Sequence, residues 1–181
     1  MKILIFLYFI LVNIVYAHTY NDVLLKAQAS IFPKIILLDK KLANKLVDGK
    51  IVYTIVYAQN DYQTALEIEK FIDANYHGHF DEYEYKINLV EFSDLSNETQ
   101  ASSIYVLNAG ANIKKVAKVA KEKGIVAFSY DLDNLKEGLL FSLLLEKSTV
   151  LYLNKENLDT QKVDFVDSLL QMVRFIDKNN S

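Results

Sequence analysis

Two histidines stand one residue apart in Tyr76-His77-Gly78-His79-Phe80-Asp81-Glu82, with Glu84 close behind. Side chains at i and i+2 of an extended segment share a face, so both imidazoles would point one way. The nearby carboxylates could then complete a zinc or copper site. The same residues also describe a solvated acidic loop before a strand. A structural metal site needs four well-placed ligands, so the segment is read as a loop and no metal is assigned. His18 could chelate copper through an N-terminal amine and its imidazole, but no second matched histidine accompanies it.

A second group lies where strands give way to helices. The segments Gln59-Asn60-Asp61, Asn108-Ala109-Gly110-Ala111-Asn112 and Ser129-Tyr130-Asp131 each follow an apolar run. In open α/β sheets, ligands settle outside the carboxyl ends of the strands, where the strand order reverses. Amides at a helix start can also hold an anion there. The candidate crevice residues are Asn60, Asp61, Asn108, Gly110, Asn112 and Tyr130. The plain alternative is that their Asn and Asp side chains only cap turns. The spacing is neither a Walker loop nor G-x-G-x-x-G, so a nucleotide is not expected.

Catalytic chemistry finds little support. There is no G-x-S-x-G elbow. With no cysteine in the chain, a thiol nucleophile and a disulfide are both ruled out. Asp131 and Asp133 form the kind of acidic pair that any soluble chain carries. The expectation is a non-enzymatic protein with no catalytic residue and no cofactor.

The elements that must position these loops follow from periodicity. Tyr20, Val23, Leu24, Ala27 and Ile31 share a helical face in residues 19–32, with Thr19 or Asn21 as cap. Pro33 should end that helix at Phe32, and residues 34–38 read as a short strand or a second short helix. Residues 50–58, apolar at nearly every position, read as a strand buried on both faces. Asp61 is placed to cap a helix over 62–76, whose Ala65, Ile68 and Ile72 form a stripe. Further strands are expected at 85–92, 102–108 and 125–130. A helix precedes the last of these, with Asn112 as N-cap and Gly124 just past its end.

Residues 138–154, GLLFSLLLEKSTVLYLN, pose the question of a membrane span. Glu146 and Lys147 at its middle would cost about 2.5–3.5 kcal/mol each at a bilayer centre. The uninterrupted apolar part is well short of the ~20 residues a span needs. A hairpin with a four-residue turn at Glu146–Thr149 resolves the conflict. The last element, residues 163–176, reads as a broad apolar helix carrying Val166, Leu169, Leu170, Val173 and Ile176, widened by Phe165, Met172 and Phe175. Phe165, Leu169 and Met172 are its candidate partner-binding face.

The predicted fold is therefore α/β: a mainly parallel sheet of about four strands in βαβ units, extended by a C-terminal antiparallel hairpin, with helices on both faces. Twenty Lys and Arg stand against 23 Asp and Glu, a formal net charge of −3. That balance lacks the basic stripe of a nucleic-acid binder. Lys2, an apolar run and the small-residue pattern Val15-Tyr16-Ala17 read as a cleaved signal peptide over residues 1–17. A single domain over 18–181, outside the cytoplasm, is the expectation.

Four pieces, in order, carry a resemblance. They are LKAQASIFPKI near the start, Gly138-Leu139-Leu140-Phe141, VLYLN ending at Asn154, and Asp167-Ser168-Leu169-Leu170 after the helical KENLDTQKV. Together they resemble the YfiR-like family of small periplasmic proteins over nearly the whole chain after residue 17. The resemblance implies a periplasmic regulator that binds the periplasmic sensor region of an inner-membrane signalling protein, a diguanylate cyclase or histidine kinase, and so acts in cyclic-di-GMP signalling and biofilm control. A homodimer is a further possibility. The chain departs from the family in having Phe32-Pro33 for its usual Trp-Pro and in lacking the paired cysteines of some relatives, so redox control does not carry over. A small-ligand-sensing or solute-binding module stands as the alternative.

Overall fold

A computed structural model describes residues 19–107 and 112–176. The expected signal peptide lies outside the described residues. The elements are α1 (Asp22–Ile36), β1 (Ile51–Tyr57), α2 (Tyr62–Tyr76), β2 (His79–Phe80), β3 (Tyr83–Glu91), β4 (Ser103–Val106), α3 (Ile113–Lys123), β5 (Val126–Ser129), β6 (Phe141–Leu145), β7 (Thr149–Asn154), α4 (Lys155–Thr160), α5 (Asp167–Met172) and β8 (Arg174–Ile176). All strands join one eight-stranded sheet in the order β2-β3-β1-β4-β5-β6-β7-β8. From β3 to β6 neighbouring strands run parallel; β7 turns back antiparallel to β6, and β8 runs parallel to β7.

The α/β architecture thus matches the sequence reading, and the hairpin falls where expected. Its first strand, β6, also pairs parallel with β5, so the parallel run holds five strands rather than about four. Alternation along the strands feeds two cores. Tyr53, Ile55, Tyr105, Phe128 and Phe141 face α1 and α2, whereas Val56, Ile104, Val106 and Ala127 face α3. Both faces are covered, which accounts for strands without a polar side.

Two elements differ from expectation. Helix α1 passes through Pro33 and ends at Ile36. A helix-interior proline costs about 3 kcal/mol. Burying Phe32, Ile35 and Ile36 returns roughly 1.5–3 kcal/mol each, so the core keeps the helix going. The expected final helix breaks into three pieces. Phe165 bridges Asp39 in extended conformation, α5 makes under two turns, and β8 pairs with β7. Val173-Arg174-Phe175-Ile176 is a β-branched and aromatic run, and the open edge of β7 offers it a ladder that no helix could use. Arg174 fastens this strand: its guanidinium donates to Glu146 Oε1 at 3.1 Å and to the Tyr152 hydroxyl at 2.7 Å. The Tyr152 hydroxyl bond and then the Arg174 charge hold the Glu146 carboxyl below its ordinary range.

One buried amide ties α1 to the sheet. Gln28 Nε2 donates to the carbonyls of Tyr130 (3.2 Å) and Leu143 (3.1 Å), and its Oε1 accepts from the Tyr105 hydroxyl at 2.5 Å. Strands β4 and β6 and the end of β5 are thereby joined through one side chain whose two donors and oxygen all find partners.

On the other face, Gly138 turns the chain from a 3-10 segment (Leu132–Glu137) into β6 at φ +115°, and an added Cβ would meet Ala117 Cβ at 2.8 Å. Gly138→Ala is expected to destabilise by about 1–3 kcal/mol, read as the urea midpoint. Gly49→Ala, at φ +77° but facing open space, should cost less.

Candidate functional site

The chain leaves β1 for β3 on one side, then crosses back to β4 on the other. The strand order therefore reverses between β1 and β4, and their carboxyl ends flank the place where such sheets hold ligands. From β1 the chain enters a 3-10 turn, Gln59–Asp61, and then α2.

Asp61 is the unusual residue there. It is 5% exposed. Its backbone N–H donates to Ala58 O at 2.7 Å, yet its carboxylate makes neither a hydrogen bond nor an ion pair among the described residues. It holds the N-cap position of α2 without capping it. Other caps in the chain work: Asn21 Oδ1 accepts from Leu24 N, and Asn154 Oδ1 accepts from Asn157 N, each at 3.0 Å. Those two residues have extended backbones, with ψ of 114° and 112°. That is the geometry that lays a side-chain oxygen over the first-turn amides. Asp61 sits at φ −102°, ψ 8°, because the 3-10 turn runs straight into the helix. The expected cap is thus corrected: the residue is in place, but its carboxylate is left over.

Aromatic rings flank it in sequence. Tyr57 and Tyr62 stand 5.5 Å apart between centroids, tilted by 46°, and Tyr62 is 42% exposed. Tyr57 pairs in register with Glu91 at the end of β3. Its phenol is pushed up by burial first, then by Tyr62, Glu91 and Asp94. Asp94 closes a turn onto Glu91 O at 3.0 Å. Tyr57, Tyr62, Glu91 and Asp94 were not among the residues singled out from sequence. The spacing of Tyr57 and Tyr62 around Asp61 was visible there, but that β3 lies beside β1 was not.

The remaining candidates divide. Asn60 and Asn112 are exposed. Asn112 precedes α3 without capping it, and Asn108 and Gly110 lie outside the described residues. Tyr130 is engaged with α1. Its ring meets Tyr20 edge-on at 4.8 Å, and its hydroxyl accepts from Asn21 N at 2.9 Å. The N-terminal turn of α1 thus covers the end of β5 and leaves the β1 side of the crevice to Asp61.

Of the expected partner-binding face, Phe165 and Leu169 are each 2% exposed and belong to the core, whereas Met172 is 68% exposed. Phe165 is held by the bridge to Asp39, and Leu169 packs under α1, so the face is corrected to Met172 at the rim of a groove. That groove, about 360 Å³, is lined by Ile31, Ile35, Leu38, Leu151, Leu169 and Met172 among others. His77 closes α2 in a left-handed conformation, and exposed His79 pairs with Glu84 across the β2–β3 hairpin. No three His, Asp or Glu side chains among the described residues converge as metal ligands. None of the helices described there is long and apolar enough to cross a membrane.

No family model matches the chain, and no curated protein does. Among solved structures, it is similar to a conserved domain protein from Vibrio cholerae, with a TM-score of 0.57 and 14% identity over 83% of this chain and 59% of that one. It is also similar to an ABC domain in complex with L-Trp from Streptococcus pneumoniae, with a TM-score of 0.50 and 9% identity over 78% of this chain and 61% of that one. At such identities the likeness is one of fold. The chain spans about three fifths of the length of both structures.

A carboxylate at the amino end of a helix is favoured by the helix dipole. Asp61→Asn is expected to lower unfolding stability by about 0.3–1 kcal/mol, measured by urea denaturation.

Proposed function

We propose that this chain is a non-enzymatic small-ligand-sensing module, with its site at the carboxyl end of β1 beside the strand-order reversal. The observation that carries this reading is Asp61, 5% exposed and with no side-chain hydrogen bond or ion pair among the described residues, at the strand end where α/β sheets bind ligands. Asn side chains cap α1 and α4, whereas Asp61 stands at the start of α2 without capping it. The solved ABC domain in complex with L-Trp supports this reading as a relative in fold only. A broad thermal-shift screen of small metabolites tests it. At least one compound is expected to raise the melting temperature in a saturable way and to lose that effect in Asp61→Asn. A screen silent throughout removes the reading.

A second reading rests on the apolar groove beneath α1 and on the resemblance to the YfiR-like proteins. In it the chain is a periplasmic regulator docking onto the sensor region of an inner-membrane signalling protein. Met172 is the exposed apolar side chain at the groove's rim, and exposed apolar side chains at the edge of a groove are typical anchors of such contacts. Met172→Glu should leave stability within about 0.5 kcal/mol. It is expected to weaken binding to the purified ectodomain of a signalling protein encoded beside this chain at least tenfold, read by calorimetry. If no such ectodomain binds at micromolar concentration, this second reading fails.

A further inference from the structure

A cleft lies between α3, the entry to β6 and α4. Gly138 leads into the amino end of β6, and β6 belongs to the parallel run that includes β1. The cleft is therefore at the opposite end of the parallel strands from Asp61 and does not depend on that residue. We propose that it binds a small hydroxylated organic anion, with the acid group on the lysines of α3 and a hydroxyl on the side-chain oxygen of Gln161. Its volume is about 270 Å³, and its walls include Lys118, Lys121, Glu137, Gly138, Asn157 and Gln161. An adjoining hollow of about 420 Å³ shares Glu137, Gly138 and Asn157 and adds Lys114 and Lys136. Such volumes suit a small metabolite. Polar contacts fix the walls. Asn157 Nδ2 donates to Leu135 O at 2.8 Å and to Leu139 O at 2.7 Å, and Gln161 Nε2 donates to Gly138 O at 3.2 Å.

Two independent observations point to a ligand. The first is Gln161, which is 7% exposed and whose Oε1 has no hydrogen-bond partner. A buried polar atom left bare weakens folding. The described residues hold other such atoms, the hydroxyls of Tyr53, Ser103 and Ser142, but Gln161 is the one that forms a wall of this cleft. An amide oxygen only accepts, so what it lacks is an O–H or N–H group. The torsion that orients a glutamine amide is broad, and the single 3.2 Å bond to Gly138 O holds this one. The second observation is charge. Lys114, Lys118 and Lys121 share a face of α3, and with Lys136 they stand in these walls against Glu137. Lys114 reaches Glu137 at 3.5 Å, Lys118 reaches Glu122 at 3.8 Å and Lys136 reaches Asp133 at 3.2 Å, all long pairs. Lys121 makes no ion pair or hydrogen bond among the described residues.

These demands select the ligand together. A simple carboxylate satisfies the lysines and brings Gln161 no donor. A neutral sugar brings the donor and leaves Lys121 unmet. An ammonium group would donate to Gln161, but the lysines repel it. An organic acid or phosphate ester with neutral hydroxyls meets both conditions.

The test is calorimetric titration of the purified protein with gluconate and with glucose 6-phosphate, set against acetate and glucose. At least one of the two hydroxylated anions is expected to bind saturably, and which one binds tells whether the acid group is a carboxylate or a phosphate. Acetate and glucose should each bind about tenfold more weakly or not at all. Lys121→Gln and Gln161→Met should each weaken the bound anion about three- to tenfold, while Lys70→Gln on α2 and Asp61→Asn leave it unchanged. Circular dichroism confirms that each variant is folded, and exposed Lys121 keeps the test open should Gln161→Met not fold. Binding undiminished in Lys121→Gln overturns the proposal, because the site then lies elsewhere. Acetate binding as tightly as gluconate overturns it too, since the hydroxyl then has no role. Silence from both hydroxylated anions at millimolar concentration removes it. Binding lost only in Asp61→Asn removes it and favours the ligand-sensing site at β1 instead.

Discussion

The side-chain amide of Gln28 is the contact on which the arrangement of this protein turns. Helix α1 has a strongly apolar inner face, and apolar contact alone is indifferent to small slides along the sheet. A buried amide is not indifferent. Its two donors and one acceptor are met only when the carbonyls of Tyr130 and Leu143 and the hydroxyl of Tyr105 come together. Shifting the helix by one residue would strand four buried polar groups, each costing about 1–3 kcal/mol. This fixes the N-terminal turn of α1 over the end of β5, where Tyr20 and Asn21 occupy Tyr130.

The carboxyl end of β1 differs from the starts of α1 and α4. Elsewhere the chain caps α1 and α4 with Asn side chains, covers both sheet faces and pairs a buried Asp39 with Lys45. At Asp61 it places a residue 5% exposed whose side chain makes no hydrogen bond or ion pair among the described residues. The cause is local, a 3-10 turn that leads directly into α2 and leaves the residue without the extended backbone that a cap requires. The consequence is an acid at the strand end that the helix start does not use as a cap.

Much of the fold was legible beforehand because burial on both faces leaves a plain mark. The runs at 51–57 and 126–129 are apolar at successive positions, and the hairpin followed from the expense of burying Glu146 and Lys147. The last segment was misjudged because Val166, Leu169, Leu170, Val173 and Ile176 fit a helical stripe as well as they fit their actual places. Only the open edge of β7 decides that Arg174–Ile176 is a strand. Pro33 misled for a related reason. Its local preference is real, but the burial of Phe32, Ile35 and Ile36 outweighs it.

The chain by itself determined the class of fold, the hairpin, the absence of cysteine chemistry and the presence of Asp61 at a strand end, because each follows from residue types or from spacing along one segment. The tertiary structure decided the strand order, the neighbours of that carboxylate, the engagement of Tyr130, and the burial of Phe165 and Leu169. These depend on which segments lie side by side. Pairing between distant strands is set by the summed packing of the whole sheet, and no local pattern encodes it.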